Sequence, residues 1–217
     1  PWLNPKGFEQ IVYDVLANTQ DMNIIEKPEP EDTPFYINNG TINVGNTNGK
    51  VILQTFSLES LVRVAEVFQG KVPMCFLLWK GTGATDLTYD DPLGYASFIN
   101  LGVKYKAHFI GPCIAGAPND YPELDQPWQD YLIHRAKMKN HPYTFDTYDQ
   151  MAKYFGQYNF GVADGMFNPP YLDALFTNHS DMSINYMITH GWRKSPASQT
   201  LVDAREVLRK LGYLDNN

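Results

Sequence analysis

No run of more than two Lys or Arg occurs anywhere in the chain, and the formal net charge is -7. Neutralising a nucleic-acid backbone takes a clustered basic surface, so nucleic acid is not an expected partner. Long apolar runs are lacking as well. The longest, Met74-Cys75-Phe76-Leu77-Leu78-Trp79, falls far short of the roughly 20 residues needed to cross a bilayer as a helix. Cysteine is scarce: Cys75 and Cys113 stand alone, without CxxC spacing or a nearby His pair. This excludes a disulfide scaffold and a zinc ribbon, and leaves two buried core thiols as the expectation. No internal repeat or low-complexity tract occurs, which excludes a solenoid.

Aromatic residues, by contrast, are abundant, with 14 Tyr, 12 Phe and 4 Trp in a chain that is 43% hydrophobic. That is enough apolar material for one sizeable core, so one domain or a large piece of one is expected. Two N-x-S/T sequons, at Asn39 and Asn178, point toward a secreted or extracytoplasmic protein. Asn39, in a polar loop, is the better glycosylation candidate.

The hydrophobic pattern alternates between two periods. Phe8, Ile11, Val12, Val15 and Leu16 form a helical stripe, whereas residues 20–49 carry Pro, Gly and Asn without periodicity and read as a long loop. Val51–Phe56 then reads as a buried strand, followed at once by the stripe Leu58, Leu61, Val62, Ala65 and Phe68, closed by Gly70. The same unit recurs: strands at Val72–Trp79, Ala107–Gly111, His141–Phe145 and Tyr171–Thr177, and helices at Leu93–Leu101, Leu124–Met138 and Asp149–Phe155. A C-terminal helical extension, 191–217, carries the stripe Leu201, Val202, Arg205, Val207, Leu208 and Leu211. Strands alternating with helices imply parallel βαβ units and an α/β architecture. With Cys75 well before the end of one strand and Cys113 just past the end of the next, the two thiols lie too far apart for a disulfide.

Four segments, in order, resemble the glycerophosphodiester phosphodiesterase family. Val51-Ile52-Leu53-Gln54-Thr55-Phe56-Ser57-Leu58-Glu59-Ser60-Leu61 is similar to a strand–helix segment of that family, and Ile110-Gly111-Pro112 to a short strand ending in Gly-Pro or Asn-Pro. His141-Pro142-Tyr143-Thr144 resembles its h-(P/V)-(W/Y)-T strand, and Ala174-Leu175-Phe176-Thr177-Asn178-His179-Ser180-Asp181 its closing T-(D/N)-x-P-D segment, with Ser180 in place of Pro. Pro1-Trp2-Leu3-Asn4 is similar to the continuation that follows the family's E-x-K strand, whereas Glu26-Lys27 lacks that spacing and reads as loop charge.

The resemblance implies a fold and a chemistry. The fold would be the C-terminal five or so βα units of a TIM-type (β/α)8 barrel, residues 1–217 forming the C-terminal part of one barrel domain. A companion N-terminal chain or segment would complete it. The chemistry would be metal-dependent hydrolysis of a small phosphodiester to an alcohol and glycerol phosphate, assisted by a divalent cation, Ca²⁺ or Mg²⁺. The motifs that bind the cation and move protons (H-R-G, E-x-D, H-D, E-x-K) have no counterpart here, so catalytic residues and metal ligands are expected outside this chain. His134-Arg135 is followed by Ala136, not Gly, and reads as a surface pair on a helix. What this chain would contribute is pocket wall. Strand C-terminal ends face a barrel's active site, which makes Gln54, Phe56, Trp79, Tyr143 and Thr144 the expected substrate-pocket residues. His108, mid-strand and without ligand partners in spacing, reads as a packed core histidine. Two alternatives stay open: a non-catalytic binding or storage protein on the same scaffold, and a phosphotransferase resembling the spider-venom sphingomyelinase D enzymes.

Overall fold

The computed structural model of the protein describes residues 7–18, 51–69, 72–79, 91–157 and 172–191, together with 205, 208, 209 and 212. The expected loop at 20–49, the sequon at Asn39 and nearly all of the expected 191–217 extension lie outside the described residues.

The described chain is α/β. Four strands, β1 (Leu53–Thr55), β2 (Met74–Leu78), β3 (Phe109–Pro112) and β4 (Lys139–Asn140), form a parallel sheet in the order β1-β2-β3-β4. Helix α1 (Gly7–Asn18) precedes the sheet; α2 (Leu58–Phe68), α3 (Pro92–Lys104) and α4 (Pro127–Arg135) separate its strands. After β4 come α5 (Tyr148–Met151), which continues as a π-helical segment over Ala152–Gln157, and α6 (Ser180–Thr189).

Local chemistry sets the helix ends. Ser57 caps α2, its hydroxyl accepting from Ser60 N at 3.3 Å, and the Asp91 carboxylate caps α3 by accepting from Leu93 N and Gly94 N, each at 2.9 Å. Both satisfy amides that a helix start leaves without partners. At the other end, Gln69 (φ 50°), Lys106 (φ 59°) and Lys137 (φ 63°) adopt left-handed backbone where α2, α3 and α4 give way to the next strand. Gly70, the expected end of α2, lies outside the described residues; Gln69 before it is left-handed, with its amide bonded to Ala65 O at 3.1 Å.

Strand alternation sorts the side chains onto two faces. On one face Met74, Phe76, Leu78 and Ile110 meet Leu61, Val64 and Phe68 of α2, Tyr95, Phe98 and Ile99 of α3, and Ile133 of α4. Phe76 stacks on Phe98 with centroids 4.3 Å apart, a contact worth about 0.5–1.5 kcal/mol beyond its burial. On the opposite face Cys75, Leu77 and Phe109 cluster with Ile52, Tyr143 and Phe176. Gly111 sits in that second layer, where an added Cβ would lie 2.7 Å from Leu77 Cδ2 and 3.0 Å from His141 O.

Sequence reading differs from the structure at the far end of the sheet. The regular part of the fourth strand is Lys139–Asn140, two residues ahead of the expected start at His141, although Cys113 and Tyr143 still pair in parallel beyond it. Within the expected strand at 171–177, the described residues 172–177 do run beside β4, but irregularly. The Asn140 carbonyl accepts from both Asp173 N (3.1 Å) and Ala174 N (3.2 Å), Phe176 N donates to Pro142 O at 2.9 Å, and Phe145 N donates to Phe176 O at 2.8 Å. One carbonyl shared by two amides breaks the even spacing of a parallel ladder. Helix α6 was not anticipated at all.

Both cysteines are buried and free. Cys75 pairs in register with Phe109, which places Cys113 four residues further along β3, about 13 Å away along the strand. His108 is fully buried, its Nδ1 accepting from Met74 N at 3.0 Å, in keeping with a packed core histidine. Among the described residues no helix is long and apolar enough to cross a membrane.

Candidate active-site rim

Parallel strands end together, and the C-terminal ends of this sheet gather aromatic rings. Phe56 follows β1, Trp79 follows β2, and Tyr143 lies just past β4. Phe56 meets Tyr143 edge-to-face, with centroids 5.7 Å apart at 87°. In the sheet order β2 and β3 lie between these two strands, roughly 14 Å of flat sheet. The two rings meet across this span, and Tyr143 reaches as far as Leu78 at the end of β2. Tyr143 is fixed there by its hydroxyl, which donates to Leu78 O at 3.0 Å. Burial, then the neighbouring Cys113 thiol, holds the Tyr143 phenol far above its ordinary pKa, so it stays protonated as that donor.

A fourth ring, missed in sequence, completes the row. Tyr121 packs on Tyr143 (5.9 Å, 61°) and on Trp79 (6.3 Å, 63°). It lies in the Pro/Gly/Asp-rich loop between β3 and α4, where composition gives no hint that one residue returns to the strand ends. The loop is held by Asn119, whose Nδ2 donates to Thr144 O at 2.7 Å and to Ile114 O at 3.3 Å. Thus Phe56 meets Tyr143 directly, Trp79 joins them through Tyr121, and Thr144 supports the loop that carries Tyr121. Gln54 stays apart from the rings. It shares the face of Phe56 but lies two residues earlier, about 7 Å deeper along the strand, and its side chain is exposed. The row keeps considerable accessible surface: Phe56 is 39% exposed, Trp79 42% and Tyr121 36%.

One layer below Tyr143, His141 faces the same side of the sheet, 6% exposed and packed between Phe109 and Phe176. Burial lowers its pKa to about 4, so the imidazole is neutral at pH 7.

On the helix-covered face a buried polar network ties α4, β4 and the segment after residue 171 together. Asn140 Nδ2 donates to Asp125 Oδ1 and Asp130 Oδ1, both at 2.8 Å. His134 is clamped between Asp130 Oδ2 (3.0 Å) and Asp173 Oδ2 (2.7 Å), and Lys139 Nζ reaches Asp173 Oδ1 at 2.8 Å. His134 thus lies on α4 beside the exposed Arg135, as expected, but its ring is only 24% exposed and is engaged at both nitrogens. Burial works against its charge, but hydrogen bonds to Asp130 and Asp173 outweigh it and raise its pKa to about 10. Asp130, desolvated but bonded to His134, rises to about 6. Asp173 is lowered, since bonds from His134 and Lys139 overcome its burial. Asp125 is raised well above the ordinary carboxylate range, first by burial and then by the charge of Asp130.

A divalent cation needs several converging oxygen ligands. Among the described residues no group of three or more His, Cys, Asp and Glu is arranged to hold a metal ion, and the carboxylates of the network are spent on His134, Lys139 and Asn140. The described residues therefore do not fit the cation that the family resemblance implies. Set against known proteins, the sequence matches no protein-family model and no curated protein.

Proposed function

We propose that this chain forms the C-terminal βα units of a (β/α)8-barrel phosphodiesterase of the glycerophosphodiester type, with the cation-binding and proton-transferring residues supplied by a companion segment. The observation that carries the reading is the convergence of Phe56, Trp79 and Tyr143 at one end of a parallel sheet. That is the end where barrel enzymes build their sites. The packing of α2, α3 and α4 onto a single face supports it, since a barrel carries its helices outside and fills the other face with strand side chains. In this reading β1 is an edge that a companion strand pairs with, because an open strand edge in a sheet calls for pairing or cover.

In the reaction the rim would hold the alcohol half of the diester and exclude water from it. Charge on the phosphoryl oxygens has to be met by a cation or arginine, and no step of that kind is assigned to the residues described here. The protein isolated from its native source with any co-purifying polypeptide, and the 217-residue chain alone, are compared for alcohol release from glycerophosphodiesters with and without chelator. The expected result is chelator-sensitive activity in the assembly and none in the chain alone. In the active assembly Tyr143→Ala and Trp79→Ala raise KM more than they lower kcat, because the rim contacts ground and transition states alike. An active chain alone, or an assembly fully active after exhaustive chelation, would overturn the reading; an inactive assembly would favour a binding protein on this scaffold.

A further inference from the structure

We infer that the strand N-terminal end of the sheet, at the α3–β3 and α4–β4 connections, is a docking surface for a bilayer of anionic lipid headgroups. The inference is independent of the phosphodiesterase reading.

Charge placement is the first argument. In a chain of net charge -7, the cations described between residues 51 and 157 divide into two sets. Arg63, Lys139 and Lys153 pair with Glu9, Asp173 and Glu123. Lys104, Lys106, Arg135 and Lys137 are instead exposed on the two connections. Strands β3 and β4 are neighbours, with Phe109 opposite Lys139, so the connections enter strands about 4.8 Å apart and bring residues 104–106 beside 135–137. No run of basic residues marks this patch in the sequence; the fold assembles it. Asp14 and Glu66, in the later turns of α1 and α2, lie toward β1. Asp120 and Asp146 follow the strand C-terminal ends. Residues 107–113 alone span roughly 20 Å, more than twice the Debye length of about 8 Å at physiological salt, so those carboxylates do not cancel the patch.

Backbone conformation is the second. Lys104 and Arg135 end α3 and α4, where a cation complements the helix dipole. Lys106 and Lys137 need another reason. Both hold a left-handed backbone, at φ 59° and 63°, which glycine takes without steric cost and a residue with a Cβ resists. Lysine at both turns, where glycine would relieve strain, points to a use for the side chains.

The make-up of the patch selects the partner. The Lys104 ammonium lies 5.1 Å from the centre of the Tyr105 ring, and Val103 beside it is exposed. An apolar side chain set among long-stemmed cations suits the boundary between headgroups and acyl chains. A nucleic-acid backbone asks for a longer basic track than these two connections supply. Docked in this way, the strand C-terminal ends face solution, and within the phosphodiesterase reading the diester is taken from water.

Vesicles of phosphatidylcholine, with and without phosphatidylserine, are sedimented with the 217-residue chain and any polypeptide that co-purifies with it. Binding is expected only with phosphatidylserine, and is lost in about 1 M salt, where the Debye length falls to about 3 Å. Lys106→Gly combined with Lys137→Gly should weaken partitioning roughly 25-fold, about fivefold for each lysine. The melting temperature should stay level or rise, because glycine suits both turns. Lys106→Arg combined with Lys137→Arg should bind as the wild type does. Equal sedimentation with the two vesicle types, or a glycine double variant that binds like wild type, would overturn the inference. So would displacement from the vesicles by single-stranded RNA, which would assign the patch to nucleic acid. Sedimentation does not depend on diester hydrolysis, so failure of this inference and failure of the phosphodiesterase reading show separately.

Discussion

Replacing Asp125 by asparagine tests the proton count of the buried network. Three carboxylates, those of Asp125, Asp130 and Asp173, face two cationic groups, His134 and Lys139. A buried charge without compensation is costly, so one carboxyl should keep its proton, and Asp125 is the furthest raised in pKa and fully buried. An amide has the shape of a neutral carboxyl and can accept the same bond from Asn140 Nδ2, now 2.8 Å long. Asp125→Asn should therefore change stability at pH 7 by less than about 1 kcal/mol, or raise it. Were Asp125 ionised, the variant would lose a charge-assisted hydrogen bond worth about 1.5–3 kcal/mol. The sign of the pH dependence follows from the raised folded pKa. A proton held in the folded state stabilises most below the unfolded carboxyl's pKa, and that stabilisation is lost as pH rises toward the folded value. The variant's advantage over wild type should thus grow from pH 4 to pH 8. Urea unfolding at several pH values resolves this, because with a slope of about 2–3 kcal/mol/M a 1 kcal/mol change moves the midpoint by roughly 0.4 M. A loss above about 1.5 kcal/mol at pH 7 that does not vary with pH would refute the assignment of the proton to Asp125.

Two further outcomes follow from the same packing and pairing. His134→Gln should cost most at pH 6 and progressively less toward pH 10. The raised His134 pKa makes its two ion pairs fully stabilising below the unfolded pKa of 6.5, with loss as pH passes about 10; a penalty that stays constant from pH 6 to 10 in urea unfolding would contradict this. Gly111→Ala should destabilise by about 1–3 kcal/mol, because its Cβ would meet Leu77 Cδ2 at 2.7 Å and the backbone oxygen of His141 at 3.0 Å. A shift in melting temperature within error of zero would show that the layer is looser than described.

How far the sequence could be read depended on whether a feature announced itself locally. The stripes Phe8–Leu16 and Leu58–Phe68 marked α1 and α2, although in α1 only Val12 and Leu16 of the stripe pack on the core while Phe8 and Val15 are exposed. Helix α6 packs Met182, Ser183, Tyr186 and Met187 inward, but Ile184 and Ile188 are apolar as well, so its pattern marks no single apolar face. Strand β4 was displaced by two residues for a related reason. Lys139 and Asn140 are polar, and a strand sought by apolar composition starts after them. They are polar because one pairs with Asp173 and the other serves two buried carboxylates. The rim was legible in three of its four rings, since each follows a recognisable strand. Tyr121 was not, because its place is fixed by the fold of the loop carrying it and by Asn119.

The network and the rim are joined through β4, and this bears on how the rim keeps its shape. Neighbouring residues on a strand face opposite sides, so Asn140 looks into the network while His141 and Tyr143 look toward the strand-end face. The segment after residue 171 lacks the evenly spaced ladder of a regular strand and is held instead at two points by carboxylates. Asp173 accepts from Asn140 N at 2.9 Å and pairs with His134 and Lys139. Asp146 accepts from Asn178 N at 2.9 Å and from Asn178 Nδ2 at 3.0 Å. Between these two ties lies Phe176, whose ring rests on His141 at 4.0 Å, directly beneath the layer of Tyr143. The main-chain bonds at Asn140, Pro142 and Phe145 locate this segment along β4, and the two carboxylates prevent it from sliding. Loss of the Asp173 tie would free one end of the segment that backs His141, and Tyr143 would then keep its bond to Leu78 O over a looser floor.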